Sequence, residues 1–388
     1  MNVLWLASWY PNKTSPFDGD FIERHAKAVS RLMPLTVLFV TKDISMKRGT
    51  FFVEKTVDEN LTVYRGYYGY SSLNKIIEKA VSFARYKKIQ RKIYETVVSE
   101  KGKPDLIHVH VAMKAGLLAL NLHKKQNIPF IVTEHWTGYF KNNQPNVYSG
   151  AYLRNRLNKK ILQSAKLLLA VSDNLGKTIN NDFITIPYAV INNVVDTSAF
   201  FYADRAASRF RFIHPSVLNW QKNPEGILEA CKIVKAKGYD FEVVFAGAEN
   251  EQLAAEAVQA GLKDATIFFR GVITYKEVAN EMQQANSLLL FSRNENMPCV
   301  ILEALCCGLP VIATNVGGIP EVINRQNGIL VESENVQQLV SAMISVMENY
   351  SNYNRQEIAT AARQKFNYDV AAKQHIELYQ KLLTDQQV

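Results

Sequence analysis

The stretch SLLLFSRNENMPCVILEALCCGLPVIAT, residues 287–314, decides how this chain is read. It opens with an apolar run at 287–292, passes through Arg293, Asn294, Glu295, Asn296 and Met297, enters a helix-like segment at 298–307 and returns to an apolar run at 310–314. Strand, helix and strand in that order make a crossover unit of a parallel sheet. Val300, Ile301, Leu302, Ala304, Leu305 and Cys306 cover nearly every side of the helical segment, and a helix apolar all round is buried. One charge, Glu303, stands in its middle. A buried carboxylate needs a partner, either a buried Lys or Arg or the hydroxyls of a sugar. Pro298 suits the first helical position, which predicts that the free N–H groups of the helix start face an anion, with Glu295 near the same opening.

Working outward, the same alternation recurs. Apolar runs at 212–218, 241–246 and 266–269 and helical stretches at 224–235 and 274–284 precede the deciding stretch, and three helices follow from Asn335, the last at 369–383 with Asp369 as its cap. Before a polar, Ala-containing segment at 197–208, apolar runs at 3–7, 35–40, 106–111, 130–133 and 167–171 alternate with helical stretches at 20–33, 76–98 and 113–125. Asp20 followed by Glu23 predicts a cap at the start of the first of these. Strands that are continuously apolar are buried on both faces. The fold class expected is therefore α/β, with two doubly wound, Rossmann-like parallel-sheet domains facing across a cleft and ligands bound beyond the carboxyl ends of the strands.

Four loops after strands carry chemistry. The first is the deciding one, with Glu295 and Glu303. The second presents Asn219, Trp220, Gln221, Lys222 and Asn223 before Pro224, and a Lys there meets a phosphate as a point charge or stays solvated. The third is Thr133, Glu134, His135 and Trp136, where His135 is a proton donor, a ligand for a polar substrate group or a satisfied core histidine. The fourth places Gly19 ahead of a helix, where backbone can approach a ligand or simply turn. His108 and His110 share one face of a strand, but no Cys or further His stands at ligand spacing, and no metal site is expected. Phosphate loops of the G-x-x-x-x-G-K-S/T and G-x-G-x-x-G kinds are missing, which argues against a nucleotide triphosphatase or a dinucleotide enzyme.

Composition narrows the classes further. Of 388 residues, 45 are Lys or Arg and 36 Asp or Glu; through Asp196 there are 28 basic and 15 acidic residues, and after it 17 and 21. The first half thus carries +13 and the second −4, which predicts an anionic partner for the first half. No nucleic-acid recognition motif accompanies that charge, so nucleic acid is not the expected partner. Between Lys75 and Lys103 nine basic residues face Glu78, Glu95 and Glu100, with Ile76, Ile77, Ala80, Val81, Phe83 and Ala84 in the same segment and Tyr64, Tyr67, Tyr68 and Tyr70 before it. A solvated surface helix or a segment resting on an anionic membrane both fit. Cys231, Cys299, Cys306 and Cys307 form no C-x-x-C pair and read as reduced core thiols. With no apolar run near 20 residues and no basic segment ahead of the first short one, a cytoplasmic protein is expected.

Taken together, these loops resemble the retaining glycosyltransferases of family 4, the group 1 glycosyl transferases, whose fold is GT-B, over nearly the whole chain. Glu295 and Glu303 reproduce the family's E-x7-E signature, which continues through Ala304, Gly308, Pro310 and Val311 to Gly317, Gly318, Pro320 and Glu321. Supporting matches are Gly19 and Phe21, His135 in its Thr133–Trp136 context, Ser172, Asn193, Val195, Asp196 and Phe200, and Lys222 with Asn223. The resemblance implies an acceptor-binding domain at 1–196, a donor-binding domain at 197–366 and a helix at 367–388 that packs back on the first domain. It implies a nucleotide-diphosphate sugar, UDP- or GDP-linked, as donor, with Glu303 on the ribose, Lys222 on the diphosphate, Glu295 and His135 as catalytic groups at the transferred sugar, and Gly19, Asn296, Met297, Cys299 and Val300 lining the donor. The acceptor implied is a glycan or lipid-linked sugar used in polysaccharide or glycoconjugate synthesis, reached by peripheral docking on the inner face of the membrane; neither cofactor nor metal is implied.

The chain departs from the family where an Arg usually precedes the Lys by five or six residues, since Val217 and Ser216 stand there, and where Asn296 and Met297 replace the usual Gly-containing residues. Two rival readings are a nucleotide-sugar epimerase of the same fold and a glycoside hydrolase using Glu295 and Glu303.

Overall fold

The computed structural model describes residues 1–70, 75–149, 152–204, 209–248 and 250–384. Residues 205–208 of the polar segment, and the side chains of Lys75 and Ile76, lie outside the described residues. The chain divides into two compact units, one made of residues 1–192 together with the C-terminal segment from Tyr368, the other of residues 193–367.

The first unit runs β1 (Val3–Ala7), α1 (Asp20–Ser30), β2 (Leu35–Lys42), β3 (Phe51–Asp58), β4 (Leu61–Tyr68), α2 (Lys75–Lys101), β5 (Leu106–His110), α3 (Gly116–Gln126), β6 (Phe130–Glu134), α4 (Tyr152–Ser164), β7 (Leu168–Ala170), α5 (Asp173–Thr178) and β8 (Tyr188–Val190). The eight strands are ordered β3-β4-β2-β1-β5-β6-β7-β8, all parallel except β3, which pairs antiparallel with β4 at the edge. The central strands β1, β5 and β6 are buried at every position, including the polar residues His108, His110, Thr133 and Glu134 of β5 and β6. Chain order reverses direction between β1 and β5, the place where an open parallel sheet leaves a crevice beyond its strand ends.

The second unit runs β9 (Phe210–Pro215), α6 (Pro224–Ala236), β10 (Phe241–Ala246), α7 (Glu251–Gln259), β11 (Ile267–Phe269), α8 (Tyr275–Gln284), β12 (Ser287–Leu290), α9 (Cys299–Cys306), β13 (Val311–Thr314), β14 (Gly328–Val331), α10 (Val336–Glu348) and α11 (Arg355–Phe366). Its parallel order, β11-β10-β9-β12-β13-β14, is that of a nucleotide-binding doubly wound sheet, with the reversal between β9 and β12. The last helix, α12 (Tyr368–Thr384), belongs to the first unit, where it packs on α1.

Several local expectations change. Asp20 is the first helical residue of α1 rather than its cap: Gly19 caps at φ 68, and Asp20 instead pairs with Arg24 at 2.8 Å. A Cβ on Gly19 would stand 2.6 Å from the carbonyl carbon of Trp9, so a capping side chain has no room there. Pro298 is likewise the cap of α9, with extended backbone, and Cys299 is the first helical residue. Asp369 lies inside the first turn of α12 rather than capping it. The β3–β4 hairpin escapes the sequence reading because its turn, Glu59–Asn60, lacks glycine, although Glu59 takes φ 49. That hairpin accounts for three of the four tyrosines ahead of α2: Tyr64, Tyr67 and Tyr68 are core residues of β4, and only Tyr70 is exposed. Cys231, Cys306 and Cys307 are buried, Cys299 is half-buried, and all four are free thiols.

Candidate active site

In the second unit the loops after β9 and β12 flank the reversal point and are stitched together by main chain and side chain. Arg293 N donates to Gln221 O at 2.8 Å, and Gln221 Nε2 donates to Asn294 O at 2.8 Å. Lys222 sits at the end of a single tight turn, 220–222, whose cap Asn219 Oδ1 accepts from the Lys222 amide; Asn223, at φ 50, then caps α6. This places Lys222 Nζ 2.5 Å from Glu295 Oε1, with the two side chains 16% and 6% exposed. Ser292 Oγ donates to the same Glu295 oxygen at 2.8 Å. The buried cation that the sequence leaves open as a partner for a carboxylate therefore exists, and its partner is Glu295.

A third loop closes behind Glu295. Gly317 takes φ 58, a Cβ there would meet Glu295 O at 1.9 Å, and Gly318 N donates to Asn296 O at 2.7 Å. Only glycine permits that approach. Asn296 and Met297 are buried, Asn193 Nδ2 donates to Met297 O at 2.7 Å, and Cys299 and Val300 are half-buried in the first turn of α9. Glu303 follows one turn on and is 3% exposed. Lys222, Glu295, Asn296, Met297, Cys299, Val300 and Glu303 thus gather around one helix start.

Where an Arg was missing, Ser216 instead bonds His214 Nε2 at 2.8 Å and Val217 is exposed. An Arg reaches the same loop from elsewhere. Arg293 pairs with Glu225 at 2.7 Å and Glu334 at 2.9 Å and lies over the Trp220 ring. No spacing rule marks it, since its partners come from three separate segments.

In the first unit, the loops after β1, β5 and β6 meet at the reversal point. Ser8 ties two of them: its hydroxyl donates to Val111 O at 2.7 Å and accepts from Ala115 N at 3.0 Å. Glu134 ties the third, with Oε1 accepting from Ala112 N and Tyr139 Oη, both at 2.9 Å. Burial pushes the Glu134 carboxyl up to about 7 against these bonds, which pull it down. His135, 9% exposed, packs its ring 4.7 Å from Phe21 at the start of α1, so Gly19, Phe21 and His135 come together. Burial brings its imidazole down to about 3, so it is neutral near pH 7. His110 Nδ1 lies 3.5 Å from His135 Nε2, and His25, His108 and His375 complete a buried cluster of rings. Among the described residues no group of three or more His, Cys, Asp or Glu is arranged to hold a metal ion. The cluster escapes the sequence reading because its members lie up to 350 residues apart, from His25 to His375. Ser172 caps α5 through a bond from Leu175 N at 3.1 Å.

The chain matches known proteins over most of its length. The pattern of Glycosyltransferase Family 4 matches residues 56–199, and that of Glycosyl transferases group 1 matches residues 201–365. TuaC of Bacillus subtilis, provisionally named a teichuronic acid biosynthesis glycosyltransferase, is 26% identical over 356 residues, 88% of each chain. A D-inositol 3-phosphate glycosyltransferase of an Arthrobacter species is 26% identical over 60% of this chain and 59% of its own. Among solved structures, sucrose-phosphate synthase of Thermosynechococcus elongatus superposes with a TM-score of 0.80 at 17% identity, covering 99% of this chain and all of that one. Anabaena HepE in complex with UDP-glucose gives 0.71 at 15% identity, covering 98% and 100%.

Proposed function

Since the chain belongs to the group 1 glycosyl transferases of family 4 type and carries the GT-B fold, we propose that it moves a sugar, with retention and without a metal, from a nucleotide-diphosphate sugar to a glycan or lipid-linked acceptor. The observation that carries this reading is the Lys222–Glu295 pair at the reversal point of the second sheet, with Glu303 buried in the helix behind it. Open parallel sheets bind nucleotides at that point. Negative charge develops on the departing diphosphate, and Lys222 together with the first N–H groups of α9 is the local source of positive charge to meet it. Once Lys222 turns to the diphosphate, Glu295 is released toward the sugar, while Glu303 accepts from the ribose hydroxyls. His135, neutral, hydrogen-bonds the transferred sugar rather than acting as a cation. The donor-binding role falls to 197–366 and the acceptor role to 1–196 with the C-terminal segment that carries α12.

The name of TuaC supports a polysaccharide or glycoconjugate acceptor, and the UDP-glucose bound to HepE supports a UDP-sugar donor. None of the helices described is long and apolar enough to cross a membrane. Peripheral docking fits the first unit instead: Lys79, Lys87, Lys88, Arg91 and Lys92 are exposed on α2, and Phe51 and Phe52 are exposed on β3, with Lys92 Nζ 4.8 Å from the Phe51 ring centre.

The deciding experiment incubates the protein with a panel of nucleotide sugars, with and without chelator, and follows release of the nucleotide diphosphate. Slow hydrolysis of one donor that survives chelator supports the reading. Conversion of the donor into its epimer makes the protein an epimerase, and cleavage of simple glycosides with no attack on any nucleotide sugar makes it a hydrolase.

A further inference from the structure

The sheet face that carries His135 is covered in part by the last helix of the chain. Trp5, His108, His110, Thr133 and His135 share that face, because the register Trp5↔His108 and His110↔Thr133 sets them side by side and alternate residues of a strand point the same way. From α12, His375 and Tyr379 reach the same rings. The ring centres lie 4.0 Å apart for Trp5 and His110, 4.2 Å for His108 and His110, and 5.8 Å for His110 and His135.

Through this cluster runs a chain of hydrogen bonds. Trp5 Nε1 donates to Tyr379 Oη at 3.1 Å, Tyr379 Oη lies 2.6 Å from His108 Nδ1, and His108 Nε2 lies 2.5 Å from Thr133 Oγ1. An indole N–H only donates, so the phenol accepts from Trp5, and the arrangement that leaves no buried hydrogen unpaired directs the phenol's own hydrogen to His108 Nδ1. Burial holds the Tyr379 hydroxyl well above its ordinary range and His108 well below, so the phenol keeps its proton and the imidazole is neutral. A neutral imidazole that accepts at Nδ1 carries its hydrogen at Nε2, which therefore donates to Thr133 Oγ1.

We propose that Tyr379 and His108 are positioning residues for His135: the relay fixes the His108 tautomer, and through His110, whose ring packs on both His108 and His135, it fixes the ring plane and tautomer of His135. His110 is the link, since its Nδ1 lies 3.5 Å from His135 Nε2, which couples the hydrogen placement of one ring to the other. The C-terminal helix thereby becomes part of the site on the first unit, although it contributes no group that touches substrate. The consequence for turnover rests on the reading of His135 as the group at the transferred sugar.

The test uses the full chain with nitrogen-15-labelled histidine, whose ring signals report tautomers directly. In the parent protein His108 is expected as a single Nε2–H tautomer. Tyr379→Phe keeps the ring and removes the hydroxyl; the His108 signal is expected to lose that single form, the His135 ring nitrogens to shift, and turnover to fall on the order of tenfold with the donor KM unchanged. Thr133→Val cuts the far end of the relay at constant shape and is expected to shift His135 in the same way, which keeps the test open should the first variant misfold. His135 signals that superimpose on the parent in both variants overturn the proposal. Turnover of His135→Ala is measured alongside: if it equals the parent while the relay variants still move His135, the role of His135 fails and the relay stands.

Discussion

His135 and Glu295 both lie buried just beyond the carboxyl end of a parallel strand, yet their surroundings are built oppositely. Around His135 stand the rings of Phe21, His110 and His25, and burial holds His110 uncharged. Around Glu295 stand Lys222, Ser292 and, in the adjoining loop, Arg293 with its two carboxylates, so that the charges there are held in pairs. A neutral wall meets sugar hydroxyls without stripping water from an ion, whereas a paired cation waits for a charged ligand and exchanges one anion for another with little net desolvation. In the proposed function, two halves with the same sheet logic divide the task by charge state.

The sharpest way to break this contrast is Glu295→Ala, expected to lower turnover about a thousandfold while leaving donor affinity near that of the parent; an unchanged turnover number would remove Glu295 from the chemistry. Next comes Lys222→Ala, expected to slow transfer on the order of a hundredfold by removing charge from the leaving diphosphate. Parent activity should survive chelator, and activity lost to chelator and restored by a divalent ion would sink the metal-free reading. Glu303→Ala should weaken nucleotide binding by about 2 kcal/mol, read by calorimetry on a variant shown to be folded. Equal affinity would take Glu303 off the ribose.

A pH experiment sharpens the other side. The Glu134 carboxyl titrates at about 7 in the folded chain against 4.5 as the ordinary value. A carboxyl raised on folding contributes stability that is fully present below its unfolded value and is lost as pH rises through the folded one, here about 3 kcal/mol between roughly pH 4.5 and 7. Histidines depressed by burial act in the reverse sense: the contributions of His135, near 3, and His375, near 4, are present above the ordinary 6.5 and lost as pH falls. Glu134→Gln should therefore remove only that loss with rising pH, seen as a steeper rise of unfolding free energy between about pH 5 and 7, where the histidine contributions return, and an unaltered slope would refute the assignment. The smallest effect is on α2. Parent protein should sediment with anionic liposomes at low salt and less so as salt rises, and Arg85→Glu with Lys88→Glu and Lys92→Glu should abolish it; equal recovery in the supernatant with and without anionic lipid would argue for a soluble acceptor.

The second unit was the more legible in the sequence, for a physical reason. Glu295, Glu303 and Pro298 sit on one strand–loop–helix segment, so spacing along the chain carries their spacing in space. Lys222 required one step more, since its meeting with Glu295 follows from the adjacency of β9 and β12. The ring cluster was illegible because α1, β5, β6 and α12 supply it and no local period joins them. His108 and His110 were visibly on one face, but what covers that face is a helix 260 residues downstream, from His108 to Tyr368. The edge hairpin was missed through its turn chemistry, and with it the placement of three tyrosines in the core.

One consequence of α12 concerns the order in which the polypeptide is made. Trp5 leaves the ribosome ahead of the second unit, residues 193–367, and meets Tyr379 only after that whole unit has been synthesised. Domains fold as units during synthesis, generally the N-terminal one first, but here the first unit stays open over Trp5, His108 and His110 until residues 368–384 have been made. A fragment ending at Asn192 should therefore bind an apolar dye that the full chain excludes, and a peptide of residues 368–384 added to it should displace the dye. The domain begun first is the domain completed last.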